Sequence, residues 1–377
     1  MVGLLNSTAT ANPGVRELQL ADFRNYETAK VTLSPSLNVV VGANAQGKTN
    51  LLEALYLLST SRLLRGMRDA EAIRDGAARA TAKAELQHSQ SQVGIILEAG
   101  IRKRATLNGM SLPRAADLLG RLPCVCISTA DLPIVRGEPA DRRLFLDLEL
   151  SQLHAAYLHH LASYKRALEQ RNALLRSSQD LMQPADLFEP WELQLAEHGC
   201  EIRRHRREFV AMLGPSARDL HSHLGTGESL KLAMHERDEG VEQEAALALM
   251  ARNRQMDVQR GGTSVGPHRD DLTIEIGGRD GRLFGSQGQQ RTGVIALKLA
   301  TLQVAQDVLG VPPMLLLDDI LSDLDERRRA MLVELVLRGA GQAVLTCTEA
   351  DAAGKDILDR AEVFHVRSGV IAGATKA

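Results

Sequence analysis

The 377-residue chain has few cysteines, no marked excess of either charge and no long apolar run. Its four cysteines are Cys124, Cys126, Cys200 and Cys347, and no two stand at C-x₂-C spacing. That argues against a disulfide framework or a zinc site and for buried, reduced thiols. No stretch approaches the roughly 18 apolar residues that cross a bilayer, so no membrane span is expected. Met1–Gly14 lacks both a basic start and an apolar core, so it is expected to be a flexible extension and not a secretory signal. A cytoplasmic protein is the default. With 45 basic and 47 acidic residues the formal charge is −2, so any surface for a polyanion must be a local patch. His221 and His223 have no acid or cysteine at ligand spacing, which argues against a metal site there. The remaining composition, 44% hydrophobic and 24% charged, suits a globular chain of one large domain or two to three smaller ones.

One stretch organises the reading. Gly42-Ala43-Asn44-Ala45-Gln46-Gly47-Lys48-Thr49 spells G-x-x-x-x-G-K-T, the phosphate-binding P-loop. The apolar run Leu37–Val41 before it reads as a buried strand. Leu51, Leu52, Ala54, Leu55 and Leu58 after it give a helix with a wide apolar face, the context the motif requires. The two glycines let backbone N–H groups turn toward phosphate oxygens, and the helix N-terminus adds partial positive charge. Lys48 is then expected to reach the β- and γ-phosphates of ATP and the Thr49 hydroxyl to ligate Mg²⁺, with Asn50 completing the nucleotide-binding stretch.

Before the P-loop, Val15–Phe23 and Ala29–Leu33 read as paired strands. The link between them, Phe23-Arg24-Asn25-Tyr26, is either a plain hairpin connection or a contact to the nucleotide base through Arg24 and Asn25. After it, Arg62, Arg65 and Arg68 recur at intervals of three, one basic stripe if helical, serving as a solvated surface or as a contact to a phosphate backbone. Ala80–Leu86, Val93–Glu98 and Arg102–Leu107 read as a meander with Asn108-Gly109 as a turn, followed by a short helix at Pro113–Leu119 and a strand at Leu122–Ile127. Residues 138–257 are mainly helical, with Ala140–Leu150, Leu153–Ser177, Trp191–Leu213 and Glu242–Met256 as an antiparallel arm broken at Pro184, Pro190 and Gly214-Pro215. Arg203, Arg204, Arg206 and Arg207 cluster there, as a solvated face or, through Arg203 and Arg207, a DNA contact. The turn Pro267-His268-Arg269-Asp270-Asp271 gathers charges that need partners if buried.

A second set of motifs completes the nucleotide machinery. Ser286-Gln287-Gly288-Gln289-Gln290 opens a helix over Thr292–Val308 and presents a hydroxyl and N–H groups to an anion. Met314-Leu315-Leu316-Leu317-Asp318-Asp319 is a buried strand ending in two acids, the Walker B pattern. Asp318 is expected at the Mg²⁺ ion, and Asp319 at the water that attacks the γ-phosphate. Ser322-Asp323-Leu324-Asp325 follows as a D-loop. In this order the motifs resemble those of the ATP-binding-cassette ATPases, which implies that Ser286 of one copy completes the ATP site of another, so that Asp319, Lys48 and Ser286 together carry the reaction in an ATP-sandwiched homodimer.

Within that class, four blocks are decisive: Phe23–Tyr26, Gly47–Ala54, Gly266–Leu272 and Ser286–Arg291, with Asp131-Leu132 and Gly137–Asp147 in support. Together they resemble the RecF family of SMC-like ATPases, from about Val15 to Val366. The resemblance implies an α/β head (15–137 with 258–377) of mixed and parallel sheets, and a helical arm (138–257) inserted between P-loop and signature. It implies Mg²⁺ and ATP as ligands, slow DNA-dependent hydrolysis and binding to gapped or junction DNA. It also implies action with RecO and RecR to help load RecA onto single strands coated with SSB. It places Arg24 and Asn25 near the adenine, Ser286 on a second copy's γ-phosphate, and Thr346 or Thr348 where transporters carry a switch histidine. Two departures stand out: Asp319 replaces the glutamate of transporters, and no glutamine stands near Asp131 as a Q-loop ligand. The alternative reading is an ATPase subunit that energises a transporter or a protein-remodelling complex.

Overall fold

The structure, a computed structural model, describes residues 14–66, 68–87, 89–178, 184–224, 227–238, 242–321, 324–339 and 341–376. The extension expected over 1–14 therefore lies outside the described residues except for Gly14. The chain divides into two compact units. One runs up to Leu132 and resumes at Ile295; the other is Pro133–Val294.

The first unit is built on two six-stranded sheets. The P-loop strand, Leu37–Val41, lies between Ala343–Cys347 and Ala361–Arg367, parallel to both. Met314–Asp318 and Cys124–Ser128 extend the parallel order on one side, and Val370–Lys376 closes the other side antiparallel. Leu37–Val41, Ala343–Cys347, Met314–Asp318 and Cys124–Ser128 are buried at every residue. Continuous apolar runs are what a parallel sheet covered on both faces demands. The second sheet is an antiparallel meander in the order Tyr26–Thr32, Val15–Phe23, Arg79–Leu86, Gln92–Glu98, Ile101–Leu107 and Met110–Ser111. Its Asn108-Gly109 turn has positive φ at both residues, as a two-residue hairpin of matching twist requires. The P-loop helix, Lys48–Thr60, joins the two sheets. Leu51, Leu52, Leu55, Leu57 and Leu58 are fully buried in one cluster with Leu18 and Ile95 of the meander and Val40, Leu316 and Val344 of the parallel sheet. A helix that is apolar nearly all round is stable only when enclosed in this way. Cys124, Cys126 and Cys347 are buried thiols outside any disulfide, and burial pushes the Cys347 thiol up to about 11; these are inert thiols.

The second unit carries the helices Pro139–Leu153, Ala155–Ser177, Glu189–Leu224 and Gln243–Arg260. Arg171 reaches Glu192 while Tyr157 reaches Arg206, so the second and third helices run antiparallel. The third continues for 36 residues through Pro215, which corrects the break expected at Gly214-Pro215. The lost N–H of an interior proline costs about 3 kcal/mol, and Leu213, Ala217 and Leu220, buried on either side of it, hold the helix together. Pro190 sits in the first turn, where the ring is tolerated. The sequence reading also missed a strand, Leu230–His235, which pairs antiparallel with Asp271–Ile276. The helices are locked by a buried guanidinium. Arg171, with no exposed surface, donates to Glu192 at 3.0 Å, to Asp257 at 2.8 Å and to Thr263 at 2.9 Å. A buried charge is tolerated only when paired and hydrogen-bonded in this manner.

Candidate nucleotide site

The P-loop turns where its glycines allow. Gly47 has φ of +121°, and a Cβ there would meet the Asn25 Nδ2 at 2.8 Å; at Gly42 it would collide with the Val366 carbonyl oxygen. Ala43, Asn44 and Ala45 at the loop's tip are exposed. Lys48 donates from Nζ to the carbonyl oxygens of Gly42 at 2.7 Å and Ala43 at 3.1 Å, which holds its charge against the loop. The loop is braced from outside. Asn25 donates to the Gln46 carbonyl at 2.9 Å and accepts from Asn50 at 2.8 Å, and the Tyr26 hydroxyl donates to the Gly47 carbonyl at 2.9 Å. Gln46 also accepts from the Ser368 N–H at 2.7 Å.

At the end of the neighbouring strand the Walker B acids meet the loop. Thr49 Oγ1 donates to Asp318 Oδ1 at 2.8 Å, and the carboxylate is 1% exposed. Parallel pairing sets Thr346 opposite Asp318. Thr346 Oγ1 donates to Asp318 Oδ1 at 2.9 Å and accepts from the Asp319 N–H at 2.9 Å. One threonine thus holds the Asp318 carboxylate and anchors the Asp319 backbone, a role that spacing alone did not disclose. Asp319 itself has φ of +53°, a left-handed conformation that aspartate tolerates better than most residues. The Thr49 hydroxyl and Asp318 carboxylate are hard oxygen donors held side by side, the kind of pair that would hold Mg²⁺. The same oxygens already attract a cation, since Arg65 Nη2 lies 2.8 Å from Asp318 Oδ2 and 3.3 Å from Thr49 Oγ1.

Arg65 therefore belongs to this site geometrically, and not to a helical stripe. The P-loop helix ends at Ser61 in a left-handed cap, so Arg62, Arg65 and Arg68 do not share a helical face, although all three are exposed. Arg24 secures the segment. It donates to both Glu53 oxygens, at 2.7 and 3.0 Å, and to the Arg65 carbonyl at 2.8 Å, while the Arg65 N–H donates to Glu53 at 2.8 Å.

The signature residues lie in the other unit. Ser286 is exposed; its N–H donates to Gln289 Oε1 at 2.7 Å and its Oγ accepts from the Gln289 N–H at 3.2 Å. This reciprocal cap opens the helix Gln287–Leu309 and leaves first-turn N–H groups facing outward. Gln289 Nε2 also donates to both Glu228 oxygens at 2.7 and 2.8 Å, the buried Gln290 donates to the Gly281 carbonyl at 2.9 Å, and Gly288 is exposed. Of the D-loop, Ser322 and Asp323 lie outside the described residues; Asp325 accepts from the Arg328 N–H at 2.9 Å and caps the helix Glu326–Gly339.

Arg203 needs a correction. It is not a surface cation for DNA: it is 3% exposed and donates to both Asp270 oxygens at 2.7 and 2.8 Å. Arg207 stays exposed and pairs with Glu236 at 3.0 Å. In the adjoining turn, His268 places Nε2 3.0 Å from the Thr263 carbonyl oxygen and Nδ1 2.6 Å from the Tyr164 hydroxyl. Nε2 is therefore the protonated nitrogen and Nδ1 accepts from tyrosine. Burial, outweighing the Thr263 carbonyl, lowers His268 to about 4. The unfolded chain takes up a proton near pH 6.5 that the folded chain refuses until about pH 4. This contribution is thus complete above pH 6.5 and is lost as the pH falls through that window, about 3 kcal/mol in all and about 1 kcal/mol by pH 5.5. Urea unfolding at pH 7.5 and 5.5 should show that loss in the wild type and a flatter dependence in His268→Gln; equal slopes would exclude His268 as its source.

Residues 14–371 match the family model described as RecF/RecN/SMC N terminal domain. The DNA replication and repair protein RecF of Symbiobacterium thermophilum is 40% identical over 373 residues, covering 94% of this chain and 96% of the relative. The chain belongs to the RecF family. The RecF of Agathobacter rectalis is 38% identical over 360 residues, covering 95% of this chain and 98% of its own. A solved structure described as the recombination mediator protein RecF-ATP in the RecFOR pathway superposes with a TM-score of 0.88 and 28% identity, covering 98% of this chain and all of that one. The Smc head domain of Pyrococcus furiosus, 16% identical with a TM-score of 0.56 and covering 96% of each chain, shares the fold. RecF membership makes the α/β unit an SMC-type ATPase head, places the chain in DNA replication, repair and recombination, and implies ATP binding and hydrolysis. It sets aside the reading as a transporter subunit. Among the described residues no helix is long and apolar enough to cross a membrane.

Proposed function

We propose that this RecF-family chain is an ATP-driven homodimer of the cytoplasm that closes on gapped or junction DNA and opens when ATP is hydrolysed. The observation that carries this reading is the hydrogen bond from Thr49 to Asp318, which ties the P-loop to the Walker B strand at one point. Around that point the P-loop N–H groups and Lys48 hold the β- and γ-phosphates, with Asn25 and Asn50 keeping the loop in shape. Arg24 and Asn25 also border the base. Thr49 and Asp318 would hold Mg²⁺, which neutralises phosphate charge as the terminal bond breaks. Asp319, its backbone anchored by Thr346, orients the attacking water and takes its proton. Ser286, Gly288 and Gln289 of a second copy cap the γ-phosphate, so two ATP molecules become part of the interface.

DNA binding then follows dimerisation. Arg62, Arg68 and Arg207 supply phosphate contacts, which carry no sequence code and suit recognition of a DNA structure. RecO and RecR act with the dimer on DNA to help load RecA onto single strands coated with SSB. The test is ATPase activity with gapped duplex, linear duplex and no DNA over a salt series. Gapped DNA should raise turnover, and the logarithm of its affinity should fall with log salt by about 0.9 for each phosphate contacted. Turnover indifferent to every DNA form would remove DNA from the account.

A further inference from the structure

Pro267 and His268 and three helices of the second unit line an open cavity of about 280 Å³ that the nucleotide machinery does not use. Its charged groups are Arg143, Lys165, Arg206 and Asp147, and Tyr164 and His268 also line it. Arg206 is buried and spoken for. It donates to Asp147 at 2.8 Å, to the Pro267 carbonyl at 2.9 Å and to the Tyr157 hydroxyl at 3.2 Å. Asp147 further accepts from Tyr157 at 2.6 Å and from Lys165 at 3.3 Å. Burial pushes this carboxyl up, but Arg206 and Lys165 outweigh burial and hold it below its usual range. One carboxylate thus serves two cations and a tyrosine hydroxyl.

Arg143 is left over. Its Nη1 donates to the Asp270 carbonyl at 2.8 Å, and among the described residues no carboxylate lies within ion-pair distance of it. Asp270 itself is engaged by both arms of Arg203, and Asp271 by Arg142 at 2.7 Å. Burial and the neighbouring Arg206 lower the Arg143 guanidinium from its ordinary value, outweighing the opposing pull of Asp271, Asp147 and Asp270, none of which pairs with it directly. Three cations against one acid leave the cavity with two net positive charges. A phosphate monoester carries about −1.5 to −2 near neutral pH, and a guanidinium matches its oxygens in bidentate fashion. Leu144, Leu161, Leu168 and Ile202 also line the cavity and offer apolar contact to a sugar or base. The volume admits one nucleotide and no duplex.

We infer that this cavity is a second anion site, taking the phosphate monoester of a single nucleotide against Arg143 and Lys165. The source is either a free mononucleotide or the phosphorylated end of a DNA strand. The site belongs to the second unit and the P-loop to the first, so its test is run with ATPγS saturating that loop. The probes are thymidine monophosphate, an eight-residue thymidine strand with a 5′-phosphate, and the same strand with a 5′-hydroxyl. The full-length protein should bind the phosphorylated strand about tenfold more tightly than the hydroxyl strand, or bind the mononucleotide without such a preference; the first outcome assigns a DNA end, the second a free nucleotide. Either preference should vanish in Arg143→Gln and Lys165→Gln and persist in part in Arg143→Lys. Lys165 is 61% exposed, so its substitution leaves the fold intact and keeps the test decisive if Arg143→Gln misfolds. Absence of binding by the mononucleotide together with equal binding of the two strands would overturn the inference. Displacement by hexaglutamate as readily as by the mononucleotide would overturn it too, assigning the cavity to an acidic peptide.

Discussion

Lys48→Ala is expected to lower ATP affinity by roughly 10- to 150-fold, the value of a hydrogen bond to a charged group at about 1.5–3 kcal/mol, and to abolish measurable turnover. The lysine side chain lies along the P-loop, with Nζ 2.7 Å from the Gly42 carbonyl, so its charge is positioned before any phosphate arrives and little ordering is required on binding. Alanine removes that charge while the braces from Asn25, Tyr26 and Ser368 remain. The loop should therefore keep its shape, and thermal unfolding without nucleotide should change little. Calorimetric titration with ATP checks the prediction, and affinity retained within threefold would show that the phosphates are held elsewhere.

Asp319→Asn separates binding from chemistry. The amide keeps the shape of the side chain and leaves the backbone N–H on Thr346 in place, but it cannot take a proton from water. Loss of a general base typically costs 10²–10⁴ in rate, so turnover should fall by about that factor while ATP affinity stays within a few-fold of the wild type. ATP-dependent association should persist and last longer, because the step that releases the dimer is slowed. Turnover unchanged in this variant would take Asp319 out of the reaction.

The two predictions rest on parts of the chain that were not equally legible. Gly42–Thr49 and Met314–Asp318 announce themselves because strand, loop and helix are neighbours in sequence, and the physics of a buried strand feeding a glycine turn is local. Thr346 could not be read in the same way. Its contact with Asp318 arises from the pairing of two parallel strands 28 residues apart. Charge clusters misled for a related reason. Arg203 and Arg65 look alike by spacing, yet the first is neutralised by Asp270, 67 residues away, and the second reaches Asp318, 253 residues away. Spacing reports which residues share a face, and the fold decides which acid meets them. Leu230–His235 was missed because a six-residue strand among long helices leaves only a short alternating pattern. Helix continuation through Pro215 shows the converse, where packing outweighs a local signal.

The central claim is that each ATP site is shared between two copies, with the P-loop from one and Ser286 from the other. Mixing Lys48→Ala protein with Ser286→Ala protein tests it most directly. Each variant alone should be inactive in ATP hydrolysis, because every site in its homodimer lacks one essential group. In the mixed dimer one site loses both groups, while the other pairs an intact P-loop with an intact Ser286. Turnover should therefore reappear on mixing, to about one quarter of the wild-type value per copy for random pairing and independent sites. An equimolar mixture as inactive as its components, under conditions where sedimentation shows the mixed dimer with ATP, would contradict the account.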